Sequence, residues 1–111
     1  MKDLLDFEFM KQDIENKIKA KRLESLHYVL FDEKNSQPWA FHLFYKEGKF
    51  MINGRDDRSY VMGRTVEFDD FNEAEYFFIN KLEHFVESNR FKLKIGKKPY
   101  YSSPLWDKTD E

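Results

Sequence analysis

The three histidines are the side chains of this chain that are best suited to proton transfer or metal binding near neutral pH. His27 and His42 fall in two apolar stretches expected to form neighbouring strands, and His84 falls in a helical stretch. An imidazole beside a carboxylate can act as a general base, and imidazoles from two strands can bind a metal ion. None of the three belongs to a spaced motif such as His-x-x-x-His. We therefore expect hydrogen-bonded structural histidines, no metal site and no cofactor.

Other catalytic motifs are missing from the sequence. The absence of cysteine excludes disulfides, thiolate metal sites and a cysteine nucleophile. The serines fall in turn-like or tail segments without a nucleophile elbow, and four glycines are too few for a phosphate-binding loop. We predict a protein that is not an enzyme. A small enzyme that pairs a histidine with a nearby carboxylate is the alternative.

The distribution of charge is more informative than the net charge of −2, which disfavours a general nucleic-acid binder. Residues 67–87 hold seven acidic side chains and one basic side chain, Lys81. Acids near a helix N-terminus are favoured by the helix dipole, but this does not explain Glu83 and Glu87 near the expected end of the helix. Charge of one sign on one face steers a partner of the opposite sign. The pattern predicts binding to a basic protein surface.

The predicted partner-binding residues lie on this acidic stretch and in a charged turn that precedes it. They are Glu67, Asp69, Asp70, Glu73, Glu83 and Glu87, together with Arg55, Asp56, Asp57 and Arg58. Adjacent carboxylates such as those in the two Asp-Asp pairs are typical of solvated turns and helix caps, and we do not assign them to a metal.

A basic segment near the C-terminus supports a rival hypothesis. Residues 88–98 hold five basic side chains and no acidic ones, and Tyr100 and Tyr101 follow. Cations interleaved with aromatic rings can bind phosphates and stack bases. A nucleic-acid-binding regulator that uses Arg90 to Lys98 is therefore an alternative function, although nucleic acid is an unlikely partner beside so many acids.

Two helices frame the predicted fold. Apolar residues three or four apart from residue 7 to residue 18 predict an amphipathic helix of about five turns, with an N-cap at Asp3 or Asp6. The sequence Asp70-Phe71-Asn72-Glu73 predicts a capping box at the start of a second helix that continues to about residue 87.

Four stretches between the helices predict strands. Residues 26–31, 39–45, 50–53 and 60–68 have β-branched or aromatic composition, and the second stretch alternates with the two-residue period of a strand. Gly63 is expected at a bulge. We predict an antiparallel meander of four strands, with residues 91–95 forming a fifth strand or a continuation of the second helix.

The fold class that follows is α+β: an antiparallel four- to five-stranded meander sheet packed by an N-terminal and a C-terminal helix. Residues 1–98 would form one domain, and residues 99–111 an extended tail whose Tyr100, Tyr101 and Trp106 contact it. No apolar segment is long enough to cross a bilayer, and acids in the first six residues disfavour a signal peptide. We expect a cytoplasmic protein without a membrane partner, either monomer or homodimer.

The order of these segments resembles that of small immunity proteins of bacterial polymorphic toxin systems, of the type found in Gram-positive bacteria. The resemblance rests on Trp39-Ala40-Phe41-His42-Leu43-Phe44-Tyr45-Lys46-Glu47-Gly48-Lys49-Phe50, the turn Arg55-Asp56-Asp57-Arg58, and Phe68-Asp69-Asp70-Phe71-Asn72-Glu73-Ala74. It covers residues 10–90. It implies a cytosolic protein that binds and blocks a cognate toxin domain by stoichiometric occlusion.

Overall fold

A computed structural model describes residues 6–32, 34–101 and 103–107 of the chain. The described elements follow one another as α1 (Phe7–Ala20), β1 (Tyr28–Leu30), β2 (Phe41–Lys46), β3 (Lys49–Arg55), β4 (Val61–Phe68), α2 (Phe71–Lys94) and α3 (Pro104–Asp107). The α+β class, with four strands between N- and C-terminal helices, is confirmed.

The first helix begins where the sequence predicted. The Asp6 carboxylate accepts a hydrogen bond of 3.0 Å from the Phe9 amide and so caps the helix. The alternative cap, Asp3, lies outside the described residues. Ile14 and Ile18 are fully buried, and the helix has 14 residues, about four turns where five were expected.

The sheet has the strand order β1-β2-β3-β4, and its last three strands form the predicted antiparallel meander. The prediction of an entirely antiparallel sheet is wrong at β1, which pairs with β2 in parallel. Residues 31–40 are too long for a tight hairpin, and they carry the chain back so that Phe41 pairs with Tyr28. The connection bends at Phe31 and Trp39, both with a φ of 54°.

The hairpin between β2 and β3 and the bulge in β4 both lie where the sequence predicted them. Glu47 and Gly48 both have positive φ, as a two-residue hairpin between antiparallel strands requires. The bulge predicted at Gly63 is confirmed. Ile52 pairs with Val66, and Gly54 pairs with Met62. Between these two pairs β3 has one residue, whereas β4 has three, one of which is Gly63 with a φ of 71°.

Helix α2 has 24 residues and replaces the predicted fifth strand, so the alternative of a continued helix is correct. Leu93 is half-buried and continues the helical series of buried positions that includes Val86 and Asn89. The helix ends because Gly96 adopts a φ of 82° and its amide binds the Leu93 carbonyl, while the Lys97 amide binds the Lys92 carbonyl. This pair of hydrogen bonds is a Schellman motif.

One face of α2 forms the centre of the core. Ala74, Phe78 and Leu82 have no exposed surface, and they pack with Ile14 and Ile18 of α1 and with the helix-facing side of the sheet. Leu43 and Ile52 are the most deeply buried residues on that side of the sheet. The fold is thus a helical layer on a mixed sheet.

The C-terminal segment packs on the end of α2, and its last described residues form α3 instead of the extended tail that we expected. The expected aromatic contacts are confirmed. Trp106 is 3% exposed, and its indole Nε1 donates a 2.8 Å hydrogen bond to the Tyr101 carbonyl while its ring packs edge-on against Phe85. Asn89 joins the two parts, since its Oδ1 accepts from the Tyr100 amide at 2.9 Å.

Replacing the buried indole tests whether this segment is integral to the fold. We expect Trp106→Ala to lower the free energy of unfolding by about 3–5 kcal/mol, because it removes a large buried ring and a hydrogen bond. Urea unfolding measured by circular dichroism gives this value. Phe9→Ala, at a ring that is 66% exposed, serves as the control and should change stability by less than about 1 kcal/mol. Equal losses of unfolding free energy in the two variants would contradict the conclusion that the C-terminal segment is an integral part of the fold.

Candidate functional site

Four of the predicted partner-binding residues surround the junction between β4 and α2. Glu67 lies near the end of β4, Asp69 and Asp70 form the connection, and Glu73 lies in the first turn of α2. All four side chains are exposed. The positive end of the helix dipole attracts negatively charged side chains at this position. We call this group the acidic corner.

Two residues of the acidic corner also have structural contacts. Asp70 caps α2, because its carboxylate accepts a 3.0 Å hydrogen bond from the Glu73 amide, as the sequence predicted. Asp69 accepts a 2.6 Å hydrogen bond from Lys49, and its carboxylate raises the pKa of Lys49. Asp69 nevertheless remains 81% exposed. Glu67, Asp69 and Glu73 are therefore the members available to a partner without uncapping the helix.

Glu83 and Glu87 lie farther along the outward side of α2. At 1.5 Å per residue they are about 15 and 21 Å from Glu73 along the helix axis. Glu87 is exposed, whereas Glu83 is half-buried and accepts a 3.0 Å hydrogen bond from Lys21 of α1. These carboxylates extend the acidic surface along one helix, but the Lys21 contact neutralises part of it.

The charged turn lies apart from the acidic corner. Residues 56–60 connect the end of β3 to the start of β4, at the opposite end of these strands from Asp69, about 20 Å away along the strand axis. Asp56 organises the loop, since its Oδ1 accepts hydrogen bonds from the Arg58 and Tyr60 amides. The ten predicted residues therefore do not form one cluster.

Arg55 of this group is held within the sheet. Its Nε donates a 2.9 Å hydrogen bond to the Asn53 side chain, and its guanidinium also contacts Ser59. Among the predicted residues of the turn, Arg55 and Asp56 are half-buried, whereas Asp57 and Arg58 are exposed. They are the members of the turn that a partner reaches first.

A buried ionic group between α1 and α2 was not predicted. Glu75 is 4% exposed, and its Oε1 accepts a 2.7 Å hydrogen bond from Lys17, which also pairs with Asp13 at 3.2 Å. Burial, together with a hydrogen bond to Asp13, raises the pKa of Glu75, and the same contact lowers the pKa of Asp13. In the sequence, Glu75 looks like any other member of the acidic stretch. Only its position one residue after the buried Ala74 hints at its burial.

A surface groove beside this group was also missed. It has a volume of about 390 Å³ and lies between α1 and α2, lined mainly by apolar atoms. Ala20 and Lys21 form one side, and Tyr76, Ile79 and Glu83 form the other. The Tyr76 ring is 73% exposed at this groove, and Phe91 farther along α2 is 60% exposed. In the sequence, both aromatic residues fall on the polar side of the helical pattern, and this position could have indicated that they are exposed.

The histidines occupy three different environments. The His27 ring stacks on Tyr101 with centroids 4.2 Å apart, and its Nδ1 lies 3.3 Å from the Pro38 carbonyl. His42 is 1% exposed on the sheet, and its Nε2 has no hydrogen-bond partner among the described residues. His84 is exposed on α2. His27 immediately precedes β1 and His42 lies on the neighbouring strand β2, but the described residues contain no group of three potential ligands around them.

The basic segment is helical through Lys94, so its cations do not form the outer face of a strand. At 100° per residue, Lys92 and Lys94 point about 160° apart around α2. Arg90 donates a 2.9 Å hydrogen bond to the Leu105 carbonyl, and the Lys92 ammonium lies 4.6 Å from the centre of the Tyr100 ring. The cation and aromatic alternation on which the nucleic-acid hypothesis depended is therefore absent from this helix.

The buried imidazole predicts a pH dependence of stability. Burial first, and the positive charge of Arg55 second, lower the pKa of His42 from 6.5 to about 4. Between pH 4 and pH 6.5 the His42 imidazole is mostly protonated in the unfolded chain and mostly neutral in the folded chain. Stability is therefore complete above pH 6.5 and falls towards pH 4, by roughly 3 kcal/mol from this group.

His42→Leu should flatten this part of the stability profile, measured by urea unfolding between pH 7 and pH 4. Phe44→Leu changes a buried neighbour that does not titrate, and it should keep the slope of the unsubstituted protein. A His42→Leu profile as steep as that of the Phe44→Leu control would contradict the burial of a neutral imidazole.

The ionic contacts among Glu75, Lys17 and Asp13 lead to a second prediction, which concerns the pKa of Glu75. Lys17 is the cation that opposes the rise in the Glu75 pKa. We expect Lys17→Met to raise the pKa of Glu75 further, because burial and Asp13 remain. Carbon-13 NMR titration of the carboxyl groups measures this shift, with Lys19→Met as the exposed control. A Glu75 pKa that moves equally in both variants would rule out the local ion pair.

No helix in the described part of the chain has the length and apolar composition needed to cross a bilayer. The model of the protein family described as Immunity protein 59 matches residues 7–107, from the start of α1 to the end of α3. No curated protein and no solved structure gives a significant match. Since the match spans more than half of the 111 residues, this chain belongs to the Immunity protein 59 family.

Proposed function

We propose that this protein neutralises a cognate toxin domain by binding it stoichiometrically and covering a basic surface. Membership of an immunity protein family supports a toxin partner in general. The acidic corner is the observation that carries the proposal for the contact surface. Its four exposed carboxylates lie around the junction between β4 and α2, and the rest of the chain has nearly balanced charge.

The chemistry of the partner follows from this surface. Carboxylates that are grouped at the junction of a strand and a helix complement lysine and arginine side chains, such as those that line the nucleic-acid cleft of a nuclease. A plug of this kind acts by occupying the cleft, without turning over a substrate. We place the encounter in the cytoplasm of the cell that makes the polymorphic toxin, where self-protection is needed.

Glu83 and Glu87 extend the proposed surface along α2, and the turn with Asp57 and Arg58 supplies a separate contact. The turn lies about 20 Å from the acidic corner along the strands, so one toxin domain of ordinary size spans both regions. Arg55, Asp56 and Asp70 support the surface through the loop and cap hydrogen bonds described above.

Charge reversal at the acidic corner tests the proposal. The triple variant Glu67→Lys, Asp69→Lys, Glu73→Lys should weaken binding to the cognate toxin domain by about 10- to 100-fold, because like charges then face each other. Calorimetry with the purified toxin domain measures the affinity. The cap residue Asp70 is left unchanged so that α2 keeps its N-terminus.

A matched control separates the site from the net charge. Glu8→Lys, Glu15→Lys, Glu24→Lys changes the net charge by the same amount on and after α1. It should retain most of the affinity, and co-expression should still protect cells from the toxin. Equal binding by the two triple variants would refute the acidic corner as the contact surface. The absence of any complex with the unsubstituted protein would refute the function itself.

A further inference from the structure

The outward side of α2 carries two exposed aromatic side chains that the proposed charge contacts do not use. Tyr76 is 73% exposed and Phe91 is 60% exposed. They lie 15 residues apart, which at 100° per residue places them within about 60° of each other around the helix axis. Large exposed aromatic side chains on one face of a helix indicate an interaction surface.

The other residues of this face form a self-complementary series around its midpoint. The midpoint lies between Glu83 and His84, and positions at equal distances from it pair as Glu73 with Lys94, Tyr76 with Phe91, Asn80 with Glu87, and Glu83 with His84. Glu73 and Lys94 have opposite charge, and Tyr76 and Phe91 are both aromatic. All eight side chains are exposed or half-buried.

We propose that a second copy of this chain packs antiparallel on this face of α2, forming a symmetric homodimer. A two-fold axis near Glu83 and His84 places Glu73 of each copy opposite Lys94 of the other. The same axis places Tyr76 opposite Phe91. A two-fold interface requires such self-complementarity, since each contact occurs twice. The antiparallel arrangement also aligns the two helix dipoles favourably.

The groove between α1 and α2 fits the aromatic contact. Tyr76 lines this groove together with Ala20 and Ile79, and its volume of about 390 Å³ is open to the surface. In the proposed dimer, the Phe91 ring of the second copy covers this apolar lining. Near the axis, where acidic side chains of both copies approach, Glu83 is already paired with Lys21 of its own chain at 3.0 Å.

This dimer goes beyond the proposed function, and its test needs no toxin. The interface covers Glu73, Glu83 and Glu87, so a second copy and a toxin domain that used these residues would compete. Failure of the chain to self-associate would leave toxin binding by the acidic corner untouched. Failure of toxin binding would leave the dimer untouched.

Sedimentation equilibrium of the full chain over a dilution series measures the association. We expect the mass to rise with concentration from 13.6 kDa towards twice that value, and added salt to weaken the association. Phe91→Ser should raise the dissociation constant by about tenfold or more. Tyr60→Ser, at an exposed ring in the turn before β4, is the control and should leave the dissociation constant unchanged.

A charge-swap experiment tests the antiparallel register. Glu73→Lys alone and Lys94→Glu alone each place like charges at both ends of the interface, so each variant should dimerise more weakly. An equimolar mixture of the two variants should regain dimers, because every end contact then joins opposite charges. Circular dichroism of each variant shows whether it is folded before mixing.

A mass of 13.6 kDa at every concentration, or dimers that Phe91→Ser leaves intact, would overturn the interface. A mixture of charge variants no more associated than its components would overturn the antiparallel register. Open-ended growth beyond two copies would also overturn it, because a two-fold interface closes on itself.

Discussion

The burial of one face of α2 is the constraint on which the rest of the structure depends. Phe78 and Leu82 are fully buried at the centre of the helix, between the sheet and α1. At the start of the helix Phe71 packs near Phe50, and past its middle Phe85 meets Phe41 edge-on with ring centroids 5.3 Å apart. Apolar burial of this extent fixes the rotation of the helix about its axis. Once that rotation is fixed, the outward positions of Glu73, Glu83 and Glu87 and the buried position of Glu75 are fixed as well.

The same helix connects the interior to the C-terminal segment. Asn89 has no exposed surface, and its Nδ2 donates to the Phe85 carbonyl while its Oδ1 accepts from the Tyr100 amide. A buried amide that satisfies both of its polar ends is stabilising, whereas one left unpaired would be costly. This contact attaches Tyr100 to α2, and the Trp106 ring packs on Phe85 of the same helix.

The contact between α1 and α2 is less purely apolar. Ile14 and Ile18 supply its buried centre, but Lys17 pairs with Glu75 beside them. Lys21, four residues after Lys17, pairs with Glu83, about two turns farther along α2. Exposed pairs contribute little, whereas the buried Glu75 carboxylate needs its partners to offset the loss of water. The ion pairs therefore specify how the helices align more than they add stability. They also reduce the acidic surface that remains for a partner.

The sequence by itself determined the helix starts, the meander of β2, β3 and β4 and the bulge at Gly63. These features depend on local periodicity, capping and turn chemistry, which neighbouring residues encode. Tertiary structure decided the parallel pairing of β1, because a ten-residue connection permits either direction. It also decided the helical state of residues 91–94, where Leu93 gains contacts on the buried face of α2. The separation of the charged turn from the acidic corner, and the burial of Glu75 and His42, likewise depend on residues distant in the chain. Burial is a property of what packs against a side chain, and no local pattern contains that information.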